Sequence, residues 1–257
     1  MRNNQLSFLH IGLITAVILF FSSGFKSMPS MPVNENDPAM ANEFAVVELF
    51  TSEGCSSCPA ADEAVAAISK EYKGNVFVLE FHVDYWNRLG WKDEFSNAAY
   101  SERQRKYAAA LGLDGVYTPQ AVINGREEFV GSDVDRLHKS VKQQLGITSK
   151  KSIGITVAAI SQHTLEVAYE TTAGSNAMLN IALVQLHATT NVKRGENGGR
   201  QLSHINIVRD FKTVMNEKGK VMLNIPAGLT AGECKLISYL QDGQALKILD
   251  AAETTLK

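Results

Sequence analysis

Cysteine is scarce in this chain: three residues in 257, at positions 55, 58 and 234. That excludes a dense disulfide framework, and no cysteine lies beside the N-terminal apolar run, where a lipid-modified residue would have to be. Neither sign of charge is in surplus. Twenty-five Lys and Arg face 27 Asp and Glu, for a net charge of −2, so the basic face needed to grip a phosphate backbone is missing and nucleic acid is not an expected partner. A membrane-spanning run is missing too. The apolar stretch "IGLITAVILFF", Ile11 to Phe21, is 11 residues long, against the roughly 20 that span a bilayer.

That stretch follows Arg2 and precedes Ser22-Ser23-Gly24, the order of an export signal. Cleavage after Gly24 is expected, with an uncleaved anchor over 6–25 as the alternative. The mature protein is then exported, periplasmic or secreted, where disulfides persist. Residues 25–43, rich in Pro, Met, Asn and Ser, read as a flexible lead-in.

From Phe44 the pattern becomes regular. "FAVVELF" is a β-branched, apolar run too short for a helix. "PAADEAVAAISKEYKG" has helical spacing, with Pro59 at its start and Gly74 after its end. "NVFVLEFHVDYW" reads as a second buried strand and "SNAAYSERQRKYAAALG" as a second helix. "TPQAVINGREEFVG" reads as two strands turning at Asn124-Gly125, a strong hairpin signal. A helix from Ser132 to Gly146 completes the order βαβαββα. Beyond Ser149 only short β-type runs follow, seven in about 100 residues, a pattern that suggests a β-sandwich. The expected organisation is a signal over 1–24, a lead-in over 25–43, an α/β domain over 44–149 and an all-β sandwich-like domain over 150–257.

The chemistry-bearing motif is "LFTSEGCSSCPAAD". Closing a four-residue ring with a disulfide constrains the unfolded chain by only about 2 kcal/mol, against about 3 for fifteen residues, so a pure staple is poorly placed here. Structural zinc needs four ligands, and only the scattered His82, His187 and His204 are on hand to supplement the cysteines; no metal is expected. A redox pair asks for a dithiol between a strand and a helix N-terminus, where partial positive charge favours the thiolate. This sequence supplies that context. Glu53, Asp62 and Glu63 oppose a thiolate, while the Ser56 and Ser57 hydroxyls can donate to it.

Here the residues carry a resemblance. The βαβαββα order, the CxxC after the first strand and "YTPQAVINGREEFVG" resemble the thioredoxin superfamily over roughly residues 44–146. The resemblance implies a cis Pro119, preceded by Thr118, opposite the cysteines, with Cys55 the attacking thiol. "ELFTSEGCSSCPAAD", "FHVDYW", "YTPQAVING" and "VKRGENGGRQLSHINIVRD" together are similar to a bacterial family of secreted thioredoxin-like proteins of unknown function, across nearly all the mature chain. Three features depart from thioredoxin itself: Gly54 in place of tryptophan, Ser-Ser in place of Gly-Pro, and the insertion "DYWNRLGWKDEF".

The function these residues support is thiol–disulfide exchange on protein or peptide thiols, by a probable oxidoreductase working with an unidentified redox partner. It needs no cofactor beyond a redox-active Cys55–Cys58 disulfide, with Cys55 the more exposed sulfur. Two alternatives use the same features: a copper(I) metallochaperone holding the ion on both thiolates with His82, and a non-catalytic exported binding module. His82 and Asp84 share a strand face and are candidates for a proton relay or for simple hydrogen-bonded structure. Trp86 and Trp91 form either an aromatic rim for a peptide or a local core. Arg194 and Arg200, in a glycine-rich loop, suit recognition of a partner. Cys234, in an alternating strand, is expected to be buried and inert.

Overall fold

The computed structural model describes residues 42–149, 152–172, 174 and 176–256; the export signal and nearly all of the lead-in lie outside the described residues. In chain order the elements are β1 (Asn42–Glu43), β2 (Ala45–Thr51), α1 (Cys58–Glu71), β3 (Val76–His82), α2 (Ala98–Leu111), β4 (Gln120–Ile123), β5 (Glu127–Val130), α3 (Val134–Leu145) and β6 (Thr148–Ser149). Strands alone then follow: β7 (Ile153–Ile160), β8 (Thr164–Thr171), β9 (Ala177–Asn191), β10 (Gln201–Val214), β11 (Lys218–Asn224), β12 (Cys234–Asp242) and β13 (Ile248–Thr255). Among the described residues the protein is mixed α/β, with one large sheet and three α-helices.

Local chemistry accounts for the boundaries. Asn97 caps α2 by accepting from the Ala99 N–H, and Gly112 ends that helix with φ +70°. Asp133, rather than the expected Ser132, caps α3 through the Arg136 N–H. Asn124 and Gly125 both have positive φ, 47° and 61°, as the tight β4–β5 hairpin turn requires. Gly125 is also obligatory for packing, since a Cβ there would lie 1.9 Å from the Leu246 carbonyl oxygen.

The eight-stranded sheet has the order β13-β12-β9-β10-β3-β2-β4-β5. β2 and β3 are parallel, with Leu49 opposite Glu80, and are buried at every position. Both faces of the sheet are therefore covered there, which is why these strands read as continuous apolar runs instead of alternating ones. On one face, Val47, Leu49 and Val78 pack with Val65 and Ile68 of α1 and Leu137 and Val141 of α3. Val46, Phe50 and Phe81 look the other way and join Tyr100 and Tyr107 of α2.

The composition change near Ser149 marks a switch from alternating helices and strands to strands alone, and not a break in the sheet. β10 runs parallel to β3, with Ile207 opposite Glu80, so the later strands extend the sheet begun by the earlier ones. The core containing Phe50 and Phe81 also contains Ala182, Val184, Val208, Ile237 and Tyr239. A three-stranded sheet, β11-β8-β7, covers the far part: Leu165, Val167 and Leu223 pack on Leu179, Ile181, Leu183 and Leu236. A two-layer β arrangement does form after residue 150, but one of its layers is shared with the α/β half. All described residues belong to one compact unit spanning 39–257.

A buried ion pair ties the halves together. Arg103 of α2 donates to both Glu48 oxygens of β2, at 2.6 and 2.8 Å, and to Gln241 of β12 at 3.2 Å. Its guanidinium lies 4.9–5.6 Å from the ring centroids of Phe81, Tyr107, Phe211 and Tyr239, a cation–π environment stronger for being desolvated.

Two outcomes follow. A fragment of residues 44–146 lacks β10, one of the two partner strands of β3, and seven buried core side chains from the later strands; its circular dichroism should show no cooperative unfolding transition, whereas the full chain shows one. Glu48→Ala should destabilise the full chain by about 3–5 kcal/mol in urea titrations, because it strands a buried guanidinium, while Glu48→Ala combined with Arg103→Met should recover much of that loss.

Candidate functional site

Cys55 and Cys58 are joined in a disulfide with Cα atoms 5.4 Å apart, in the turn between β2 and α1. The Cys58 N–H donates to the Cys55 carbonyl at 3.2 Å and the Cys55 N–H to that of Ser52 at 3.1 Å. The helix begins at Cys58 itself, with Ser57 as N-cap and Pro59 in the first turn, where a missing N–H leaves nothing unpaired. Ser57 Oγ lies 3.4 Å from Cys55 Sγ. Gly54 precedes the pair because Trp86 leaves no room for more: a Cβ there would sit 3.1 Å from Trp86 Cβ.

The expected exposure of Cys55 is not what the structure has. Cys55 is 1 % exposed and Cys58 0 %, and only Ser56 and Ser57 of the motif's centre face solvent. The turn that carries them is bonded to the far half of the chain, through the loop between β9 and β10. Buried Asn197 donates to the carbonyls of Glu53 and Cys55, both at 2.9 Å, and Glu196 accepts from the Ser56 N–H at 3.0 Å.

The other residues singled out from the sequence fall around this turn in different ways. The Thr118–Pro119 peptide is cis, and buried Pro119 leads into β4, which pairs with β2. Trp86 Nε1 donates to Thr118 Oγ1 at 2.8 Å, and Trp91 Nε1 to Glu53 Oε2 at 2.7 Å; both indoles are half-buried and brace the site from the inserted segment. His82 and Asp84 do not pair with each other. His82 Nδ1 is 2.7 Å from Asp93 Oδ2, whereas Asp84 accepts from the Ser101 hydroxyl. Arg200 donates to Asn197 Oδ1 at 2.8 Å, so it positions the covering loop, and Arg194 is exposed. Cys234 is buried, and burial pushes its thiol up to about 11.

Behind the disulfide lies a cluster that motif reading did not assemble. Glu53, Asp62, Glu80 and Asp93 are all buried, and so are His82 and His204. Asp62 projects from α1 one turn past Cys58 and accepts from Thr51 Oγ1 at 2.8 Å. His204 of β10 faces three carboxylates: its Nδ1 is 3.5 Å from Asp62 and 3.7 Å from Glu80, and its Nε2 is 3.6 Å from Glu53. These are ion-pair approaches, longer than hydrogen bonds. Burial opposes charge on His204, but the facing Asp62 and Glu53 carboxylates outweigh it and push the imidazole up to about 11. Burial likewise opposes charge on His82, where Asp93 wins and raises it to about 9. Desolvation pushes the Glu80 carboxyl up to about 7. The available signal was an acid inside an otherwise apolar strand, "VFVLEFH", where an unpaired charge is not tolerated.

Residues 46–241 match the family model described as protein of unknown function DUF1223, and the chain belongs to that family. The X-ray structure of protein AGR_C_4864 from Agrobacterium tumefaciens is similar: 32% identity, TM-score 0.62, covering 82% of this chain and 93% of that one. A domain of the outer membrane lipoprotein Omp28 from Porphyromonas gingivalis is a distant match, with 10% identity and TM-score 0.27 over 42% of this chain and 89% of that one, too slight to bear on the fold. No curated protein matches.

The covering loop yields a test. Asn197→Ala removes two buried hydrogen bonds and orphans the Glu53 carbonyl, while that of Cys55 keeps the Cys58 N–H, which should lower stability by about 1–3 kcal/mol. Reduction of the disulfide by dithiothreitol should become faster than in the wild type, read by thiol alkylation and mass spectrometry. An unchanged rate would mean the loop does not limit access.

Proposed function

We propose that this DUF1223 protein is an exported thiol–disulfide exchange protein with a thioredoxin-like α/β half, acting through Cys55 and Cys58 on protein or peptide thiols. The observation that carries the reading is the placement of the pair: a disulfide closing only four residues, between the end of β2 and the first residue of α1. So small a ring adds little stability, while the helix start offers unpaired N–H groups that stabilise a departing thiolate. Pro119, at the head of the strand next to β2, shapes the groove beside the pair.

In the oxidised form, a substrate thiolate attacks Cys55 Sγ. The Cys55–Cys58 bond breaks, Cys58 leaves as a thiolate and takes a proton, and a mixed disulfide joins Cys55 to the substrate. A second substrate thiolate then attacks the substrate's own sulfur and releases Cys55. The substrate dithiol is oxidised to a disulfide and the cysteine pair is reduced; with a substrate disulfide the same steps run in reverse, Cys55 attacking and Cys58 resolving. Because both sulfurs are buried, the loop bearing Glu196 and Asn197, which is bonded to their turn, lifts in either direction, and a partner that displaces it reacts faster than free glutathione does.

The experiment is covalent trapping in the native compartment under rapid acid quenching. Cys58→Ser should accumulate mixed disulfides on Cys55, Cys55→Ser should accumulate few, and Cys234→Ser should match the wild type. For the unaltered chain, equilibration with glutathione buffers should titrate the pair between dithiol and disulfide. Equal trapping by both active-site variants, or a pair that stays oxidised at every buffer ratio, would remove the assigned roles.

A further inference from the structure

The cluster behind the disulfide contains more unsatisfied polar atoms than its own ion pairs explain. Glu53 Oε1, Glu80 Oε1, His82 Nε2 and both ring nitrogens of His204 are buried without a hydrogen-bond partner. Buried polar atoms in native proteins are nearly always paired, so the two orphan ring nitrogens that face the same Glu80 oxygen, His82 Nε2 and His204 Nδ1, call for something held between them; that oxygen also accepts from the Ile205 N–H at 3.2 Å.

The geometry points to a divalent first-row transition ion, zinc(II) foremost, bound by Glu80, His82 and His204, with Asp62 as the fourth ligand. One ligand atom from each of the first three residues can be chosen so that all lie within 4.8 Å of one another. His82 Nε2 is 3.9 Å from Glu80 Oε2, His204 Nδ1 is 3.7 Å from the same oxygen, and Asp62 Oδ2 is 3.5 Å from His204 Nδ1. Ligand atoms at about 2.0–2.1 Å from a tetrahedral zinc stand roughly 3.4 Å apart, so the two separations from Glu80 Oε2 need to shrink by a few tenths of an ångström and the whole set, which spans up to 4.8 Å, draws in further on binding.

The outer contacts agree with this assignment. A ligating histidine characteristically donates its other ring N–H to a carboxylate, which fixes the tautomer and aims the free lone pair at the metal. His82 does so through Nδ1 to Asp93 Oδ2 at 2.7 Å, leaving unpartnered Nε2 directed at Glu80. His204 has a carboxylate on its outer side too, but at ion-pair and not hydrogen-bond distance: Nε2 faces Glu53 Oε1 at 3.6 Å and Nδ1 faces Glu80 and Asp62. Glu53 is itself anchored by Trp91, and Asp93 by the N–H groups of Glu53 and Phe95. Imidazole and carboxylate donors suit zinc or ferrous iron. The sulfurs, bonded to each other, are not ligands, so metal binding does not require the exchanging thiols and the site differs in kind from copper(I) held on thiolates.

All three principal ligands are fully buried, so loading is tested through folding. The full chain is denatured, stripped with chelator, refolded with zinc(II) or cobalt(II) and desalted, and bound metal is measured by mass spectrometry. The wild type should retain one ion per chain, and the Cys55→Ser/Cys58→Ser double variant should retain it equally. His82→Gln and His204→Gln should lose it, and Asp93→Asn should weaken affinity about 10–100-fold, as loss of an outer carboxylate does. If the histidine variants fail to fold, the wild-type cobalt spectrum still decides: visible ligand-field bands without sulfur-to-cobalt charge transfer support the site. No retained metal in the refolded wild type, retention undiminished in folded histidine variants, or loss in the cysteine double variant would overturn it. Trapping on Cys55 can succeed or fail whatever the metal result.

Discussion

The parallel pairing of β10 against β3 is the constraint on which the remaining architecture rests. It joins strands far apart in the chain through a register that places Ile207 opposite Glu80. Three consequences follow from that one seam. The sheet becomes continuous across both halves, His204 arrives beside Glu80 and His82, and the tip of the long β9–β10 hairpin reaches over the Cys55–Cys58 turn. Without it β3 would be an exposed, apolar edge, a hazard that folded proteins avoid.

Charge is buried on both faces of this sheet, with different results. On one face Glu48 meets Arg103 in a bidentate, ring-enclosed pair whose donors and acceptors are satisfied by Tyr107 and Gln241. Such a network specifies how α2 sits on strands from both halves. On the other side of the seam, Glu53, Asp62, Glu80 and Asp93 meet only two histidines, and five polar atoms stay unpaired. A network left partly satisfied is worse for stability than an apolar core, and departures of that kind concentrate where a protein works.

The disulfide sits where these features meet. Glu53 is two residues before Cys55 and Asp62 one turn after Cys58, so the backbone that forms the cysteine turn also supplies carboxylates to the cluster beneath. Asn197 holds the carbonyls of Glu53 and Cys55 together, and Trp91 and Trp86 brace the same turn from the segment inserted after β3. Movement of the covering loop, reduction of the pair and the state of the buried cluster therefore share atoms, which gives them a physical route to influence one another.

Much of this molecule was local and therefore legible. Strand runs, helix limits at Pro59 and Gly112, the Asn124-Gly125 turn and the CxxC position depend on neighbours within a few residues, where propensity, capping and φ preferences act. Even the later strands were legible one by one, though β10 extends past its apolar run at both ends because Gln201 pairs with Asn191 and Val214 with Leu179 across the hairpin. Pairing between distant strands was not legible. A change in element type near Ser149 looked like a domain boundary, because sequence pattern records which face of a strand is apolar and not which strand lies beside it. The same limit hid the site's depth: His204, Asn197 and Asp93 lie in stretches that the sequence singles out, but nothing local says that they meet, and Cys55 read as exposed because its burial depends on residues distant in the chain. The sequence by itself determined the elements and the cysteine pair; only the tertiary structure decided the seam, the covering loop and the buried histidine–carboxylate cluster, since those arise from non-local register that no short window of residues encodes.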